Sequence, residues 1–269
     1  MRILVLFVCC ISVAVAFVPG RRSSRSLIVG GDESPPDSRP YQVSILQSND
    51  GEDQICGGTL VDPEWVVTAC HCIIQADVWV GVGFQDLRDT AADGASIIKG
   101  EWIDHPSFDI STFDFDIALI KLDAPAVLSP RVQTIQIVAA NSDVAAGTSL
   151  LVSGWGKLSD GGDRTKELRQ VVVDAVSRAT CTNDYAGVNA ITNNMICASG
   201  VGKDACQYDS GGPLVSGYDE DAHVGGVTLE GIVSWGWGCA DPKYPGVYTR
   251  VSLFCDWINT STGGDVMCG

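Results

Sequence analysis

What this sequence is short of narrows its reading before any motif does. Past its first twenty residues it has no apolar run long enough to cross a bilayer, which takes about 20 apolar residues, so no membrane is expected to hold the mature chain. It has no internal repeat and no low-complexity tract, which excludes solenoid arrays and compositionally disordered tails. No CxxC pair occurs, so the usual zinc framework is missing. Basic residues are scarce. Four of the 17 fall before residue 28 and none of the 33 acidic residues does, so residues 28–269 carry a net charge of −20. Such a surface disfavours nucleic acid and anionic membranes and attracts cationic ligands. Helical periodicity is also rare, and only three histidines exist, so candidate general bases are few.

What is there points to a secreted, sheet-rich protein. The N-terminus, MRILVLFVCCISVAVAFVPG, has one arginine, an apolar run and the small-residue pattern Ala14-Val15-Ala16. That is the shape of a signal peptide over residues 1–16, and secretion is expected. The rival reading, a retained anchor, is disfavoured because the run from Ile3 to Val18 is short for a bilayer span. Residues 17–27, FVPGRRSSRSL, have no core-forming pattern and read as a propeptide or linker. Without the two signal-peptide cysteines nine of eleven remain, an odd number, so most should be paired and at least one not paired within the chain.

All but Gly20 and Pro19 of the chain's thirty glycines and eleven prolines lie from residue 28 onward, where they punctuate short apolar runs. Expected strands include 41–46, 57–61, 65–69, 117–122, 149–155, 168–176, 229–235 and 246–251, separated by turn clusters such as NDGED (49–53) and SDGGDR (159–164). This pattern implies an all-β protein of antiparallel barrels or sandwiches. One helix is expected, over 252–261, where Leu253, Trp257 and Ile258 share a face.

Candidate chemistry starts from the histidines. His71 lies in WVVTACHC at the end of a β-like run, whereas His105 (IDHPSF) and His223 (DEDAHVGG) sit in turns and read as structural. A metal at Cys70-His71-Cys72 is unfavourable, because adjacent ligands converge poorly, and no metal or cofactor is expected. Asp116, directly before IALIKL, is either an ordinary strand-start residue or the carboxylate that orients an imidazole. Ser210 in CQYDSGGPL is either part of a turn or a nucleophile. A nucleophilic serine needs a base and oxyanion donors, and Gly211 and Gly212 would let the backbone approach a substrate. It is not in a G-x-S-x-G elbow, which argues against an esterase of another fold.

Taken together, IVGG (28–31), TACHC (68–72), DIALIKL (116–122), SGWG (153–156), GKDACQYDSGGPL (202–214), GIVSWGWGC (231–239) and YPGVYTRV (244–251) resemble the trypsin-like, chymotrypsin-fold serine proteases in order and spacing. The resemblance spans Ile28 to about Ile258, essentially the whole mature chain, which is read as one protease domain over 28–269 with two β-barrel subdomains. It implies two antiparallel six-stranded β-barrels, an active site in the cleft between them and a short C-terminal helix. It implies a catalytic set of His71, Asp116 and Ser210, and an oxyanion hole from the N–H groups of Tyr208 and Ser210. Asp204 would floor a specificity pocket for arginine or lysine, kept open by Gly236, Gly238 and Gly246. Ser234, Trp235 and Gly236 would pair with the substrate backbone. Ala205 stands where trypsins often have serine, which removes an acceptor a lysine ammonium needs more than a guanidinium does, so arginine should be preferred. The same resemblance implies disulfides Cys56–Cys72, Cys181–Cys197 and Cys206–Cys239. Of the remaining three cysteines, Cys255 and Cys268 are the expected pair and Cys70 the buried thiol.

The resemblance also implies that a new N-terminus at Ile28 pairs with Asp209 and orders the site. Leu27 precedes Ile28, so an enzyme specific for basic residues would not cut there, and activation should need a protease that cuts after leucine. Protein or peptide substrates with Arg or Lys, protein inhibitors and a monomeric state are further expectations.

Besides Leu27, two departures from the family pattern stand out, at Tyr208 and in the loop over 83–94. Tyr208 occupies a position usually held by glycine. Either the strained backbone is kept, or the peptide rotates and a donor is lost, which would leave a catalytically silent homologue acting as a binding protein. The stretch GFQDLRDTAADG (83–94) lacks the glutamates of a calcium loop and reads as a solvated acidic loop. Asn259-Thr260-Ser261 is a glycosylation sequon beside the expected helix.

Overall fold

The apolar runs become strands of two closed barrels in a computed structural model that describes residues 30–269 other than 52, 90–93 and 221–225. The expected signal peptide and propeptide, Ile28 and His223 therefore lie outside the described residues. After a two-residue strand β1 (Asp32–Glu33), six strands build the first barrel. They are β2 (Gln42–Leu46), β3 (Gln54–Asp62), β4 (Trp65–Thr68), β5 (Val78–Val82), β6 (Ser96–Asp104) and β7 (Ala118–Leu122), closed in the order β2-β3-β4-β7-β6-β5. A short β8 (Gln136–Ile137) leads to the second barrel. Its strands are β9 (Ser149–Gly154), β10 (Arg169–Val176), β11 (Met195–Ser199), β12 (Pro213–Ser216), β13 (Thr228–Trp235) and β14 (Gly246–Arg250). The order β9-β10-β11-β14-β13-β12 closes through the β12–β9 pairing, while β1 adds to β10 and β8 runs parallel to β13. Pairing within each barrel is antiparallel throughout.

Burial explains why these segments are strands. All four residues of β4 are buried, and its Val66 and Val67 face Ile120 and Leu119 of β7 in register. β-branched side chains suit such a pleated, two-sided environment, and each fully buried Val, Leu or Ile contributes about 1.5–3 kcal/mol. The core of the first barrel runs on into Leu151, Val215, Leu229 and Ile232 of the second and into Phe254 and Ile258 at the C-terminus, so one apolar cluster ties the halves together.

The helices differ from expectation in two ways. The expected C-terminal helix is split into a 3-10 turn, Val251–Leu253, and α2, Cys255–Ser261. A further helix, α1 (Arg178–Asp184), is capped by Ser177, whose Oγ accepts the Thr180 N–H at 3.1 Å. Its only buried residue is Cys181, so it carries no apolar periodicity to read. The disulfides are Cys56–Cys72, Cys181–Cys197, Cys206–Cys239 and Cys255–Cys268, and Cys70 is a buried free thiol that burial pushes up to about 12.

The barrel register positions the site. Thr68 at the end of β4 lies opposite Ala118 at the start of β7. His71, three residues beyond one strand, and Asp116, two before the other, therefore leave the barrel edge together.

Candidate active site

His71 sits in the 3-10 turn Cys70–Cys72, which the Cys56–Cys72 disulfide ties to β3. The carboxylate of Asp116 is fully buried and accepts from His71 twice, from ring Nδ1 at 2.7 Å and from the main-chain N–H at 2.9 Å. The Ser234 hydroxyl also donates to Oδ2, and Thr249 Oγ1 donates to the Asp116 carbonyl at 2.7 Å. With Nδ1 committed to the carboxylate as a donor, a neutral ring presents Nε2 as its acceptor. Phe113 packs edge-on against the ring at 5.5 Å.

Ser210 arrives from the second barrel. Gly57 N–H of β3 donates to the Ser210 carbonyl at 2.7 Å, and Gly211 N–H donates to Val233 of β13 at 2.8 Å. Gly211 has φ +79°, and a methyl there would run into the Thr68 hydroxyl and the Gly57 carbonyl. Only glycine lets the loop press this closely on the strand that leads to His71. The Ser210 hydroxyl is not hydrogen-bonded to the imidazole, as is common before a substrate tightens such a site.

Tyr208 takes φ +76°, the left-handed region that tyrosine rarely adopts. Its carbonyl accepts from Gln54 Nε2 at 3.0 Å, its half-exposed ring lies 4.4 Å beneath the Arg164 guanidinium, and Lys157 N–H donates to the preceding Gln207 carbonyl at 2.9 Å.

Asp209 is fully buried. It accepts from Gly156 N–H at 2.8 Å and Cys206 N–H at 3.0 Å, and among the described residues no basic group pairs with it. Burial raises it to about 6 against those two donors.

A cavity of about 130 Å³ opens beside Ser210 and brings together Asp204, Ala205, Ser234, Trp235, Gly236, Gly238 and Gly246. Asp204 is 5% exposed; its Oδ2 accepts from Ala240 N–H at 2.9 Å, whereas Oδ1 is buried without a partner. Burial pushes this carboxyl up to about 7. A methyl on Gly246 would stand 2.7 Å from Oδ1, so that glycine keeps the acid accessible. The cavity thus has a carboxylate oxygen without a partner among the described residues at its floor.

Other candidates resolve into structural roles. His105 is buried among Phe115, Phe254 and Trp257, at ring separations of 5.0, 5.4 and 4.9 Å. Cys56, His71 and Cys72 could be grouped as metal ligands, but both sulfurs are in one disulfide and offer no thiolate. Within 83–94, Asp86 is engaged by Arg88, which also reaches Glu167 at 2.9 Å, so this part of the loop is an ion-pair cluster rather than a free acidic surface. The Asn259 amide donates one of its two hydrogens to the Val266 carbonyl at 3.3 Å. Residues that sequence reading missed at the site are Gln54, Lys157, Arg164 and Ala240. Each acts through a contact distant in sequence, and no local pattern marks it.

The family model described as Trypsin matches residues 28–258. The chain belongs to the trypsin family. It is 40% identical over 237 residues to the vitellin-degrading protease of Bombyx mori, covering 86% of this chain and 84% of that protein. It is 41% identical over 234 residues to trypsin of Sus scrofa, covering 86% and 94% respectively. Among solved structures it resembles neuropsin, a serine protease expressed in mouse brain, with a TM-score of 0.76 and 35% identity over 86% of this chain and 98% of that one. This trypsin-family chain is a trypsin-like serine endopeptidase. Among its described residues no helix is long and apolar enough to cross a membrane.

Proposed function

We propose that the chain is a secreted zymogen whose cleaved form cuts proteins and peptides after arginine, and less well after lysine, through an acyl-enzyme on Ser210. The observation that carries this reading is the double grip of buried Asp116 on His71, beside a cavity floored by Asp204, whose Oδ1 has no partner among the described residues. His71 Nε2 takes the Ser210 proton as Oγ attacks the scissile carbonyl carbon. The resulting oxyanion is held by the N–H groups of Tyr208 and Ser210. As the C–N bond breaks, the imidazolium gives its proton to the leaving amine, and Asp116 holds the ring throughout. Water, activated by the same imidazole, then hydrolyses the acyl-enzyme. The arginine side chain reaches Asp204 in the pocket, and Ala205 leaves a lysine ammonium one acceptor short.

Residues 1–16 act as the signal and 17–27 as the propeptide, and a protease that cuts after Leu27 frees Ile28 to pair with Asp209. The mature protein works as a monomer on protein substrates and is open to protein inhibitors. The left-handed backbone at Tyr208 supports the active reading over the silent-homologue alternative, in which this peptide would have rotated. Hydrolysis of short Arg- and Lys-terminated chromogenic peptides by the protein cut before Ile28 tests the reading, with Ser210→Ala as control. Arg-selective turnover absent from the control is the expected result; no turnover, restored by Tyr208→Gly, would mean a scaffold silenced at the oxyanion hole.

A further inference from the structure

Tyr208 keeps a backbone conformation that its own side chain disfavours, so something outside the residue must hold it. The hairpin around 157–164 does so from two directions. Lys157 and Arg164 face each other in an isolated antiparallel bridge, and both touch the Tyr208 segment. Lys157 N–H binds the Gln207 carbonyl at 2.9 Å. A trans peptide points its C=O and N–H in opposite directions, so this bond turns the Tyr208 N–H away from the hairpin. Rotating that peptide would set two N–H groups against each other. Arg164 works on the other side of the residue. Its guanidinium covers the Tyr208 ring at 4.4 Å, within the range of a cation–π contact, and its Nη1 donates to the Gln54 carbonyl at 2.7 Å. The Gln54 amide in turn donates to the Tyr208 carbonyl at 3.0 Å and to the Cys56 carbonyl at 3.2 Å. Ring, carbonyl and preceding peptide are thereby held by one connected set of groups.

We propose that Arg164 is a positioning residue, which by stacking on Tyr208 and bonding to Gln54 clamps the Tyr208 peptide in the orientation that donates to the oxyanion. The proposal rests on the oxyanion role given to Tyr208 above. It carries a specific consequence: a glycine at this position has no ring for Arg164 to grip and no side chain to strain the backbone, so the need for Arg164 should disappear with the tyrosine.

The experiment is a double-mutant cycle on the enzyme cut before Ile28, with a short Arg-terminated chromogenic peptide. Loss of one oxyanion donor outright lowers turnover about 10²–10³-fold. Loosening it by Arg164→Ala should lower kcat about tenfold with KM changed less than about threefold, and the same change in a Tyr208→Gly background should lower kcat less than about twofold. Equal losses in both backgrounds, or no loss in either, would overturn the proposal. The same cycle read as thermal unfolding of the Ser210→Ala protein needs no turnover. There Arg164→Ala should lower Tm by about 2–4 °C beside the tyrosine and by under about 1 °C in the Tyr208→Gly background. Equal Tm shifts would also overturn the clamp, whereas coupled shifts with no turnover from any variant would overturn the function proposed above and leave the clamp standing.

Discussion

The first-barrel half of the site is electrostatically complete, and the second-barrel half is not. Both Asp116 oxygens are occupied, by His71 twice and by Ser234. Across the cleft, among the described residues, Asp204 has one oxygen with no partner, and the Asp209 carboxylate accepts from two backbone donors. Burial raises these two acids to about 7 and about 6. A buried carboxylate without a cation is costly to ionise. The contrast teaches that folding alone finishes the first half, while it leaves the second with two buried acids that no cation among the described residues pairs. On the proposed reading, the positive charge that pairs them is a substrate side chain at Asp204 and a new N-terminus at Asp209.

The largest effects should come from removing the groups that meet across the cleft, Ser210 from the second half and the Asp116 support of His71 from the first. Ser210→Ala should lower turnover by about 10⁶-fold, and Asp116→Asn by about 10⁴-fold because the imidazole loses its tautomer; steady-state rates on a chromogenic arginine peptide check both. Removing the waiting acid of the second half, Asp204→Ala, should lower kcat/KM for arginine peptides by about 10²–10³-fold, the scale for breaking a buried charge pair. A loss under tenfold would remove Asp204 from the specificity pocket.

The Asp209 contrast can be sharpened by pH. Its carboxyl is raised in the folded, uncut chain, so the stability it contributes is present below its ordinary value near 4 and is lost as pH rises through about 6. The loss amounts to about 3 kcal/mol. Urea unfolding of the uncut Ser210→Ala protein at pH 4 and pH 7 should show this fall over and above that due to Asp204, and Asp209→Asn should remove it. Cutting before Ile28 should also remove it, because a paired ammonium lowers the acid; an unchanged slope after cutting would deny the pairing.

Smaller effects concern the rims of the two halves. Tyr208→Gly should raise affinity for a rigid protein inhibitor about tenfold more than it changes KM for a short peptide, since the ring stands on the surface such an inhibitor must cover; equal affinities of the two proteins would refute this. Ala205→Ser should raise the Lys-to-Arg ratio of kcat/KM about 2–10-fold, the worth of one added hydrogen bond, and matched Lys and Arg peptides measure it.

Much of the architecture was legible because strands and turns leave local marks. The buried run WVVT and the alternation in β10 are visible without coordinates. Strands β5, β6, β11 and β12 were not among the expected ones, and for the last two the local reason is plain. MICAS is five residues with four of them buried and no alternation, and PLVS opens on a proline, tolerated at the first strand position although it argues against a strand. Helix α1 escaped because it buries a cysteine rather than an apolar stripe. At the site, residues set in dense local patterns, such as Ser210 between Asp209 and two glycines, could be singled out. Arg164 could not: it lies 44 residues from Tyr208 and 110 from Gln54, in a loop of glycines and aspartates that looks like any turn.

By itself the sequence determined the family, the sheet-rich class and the identity of the candidate groups, because these depend on residue types at short range. Only the tertiary structure decided that Tyr208 holds the left-handed backbone and that Asp204 and Asp209 are buried acids with no cation among the described residues. Backbone strain and desolvation are settled by what packs against a residue, and here that packing comes from both barrels at once.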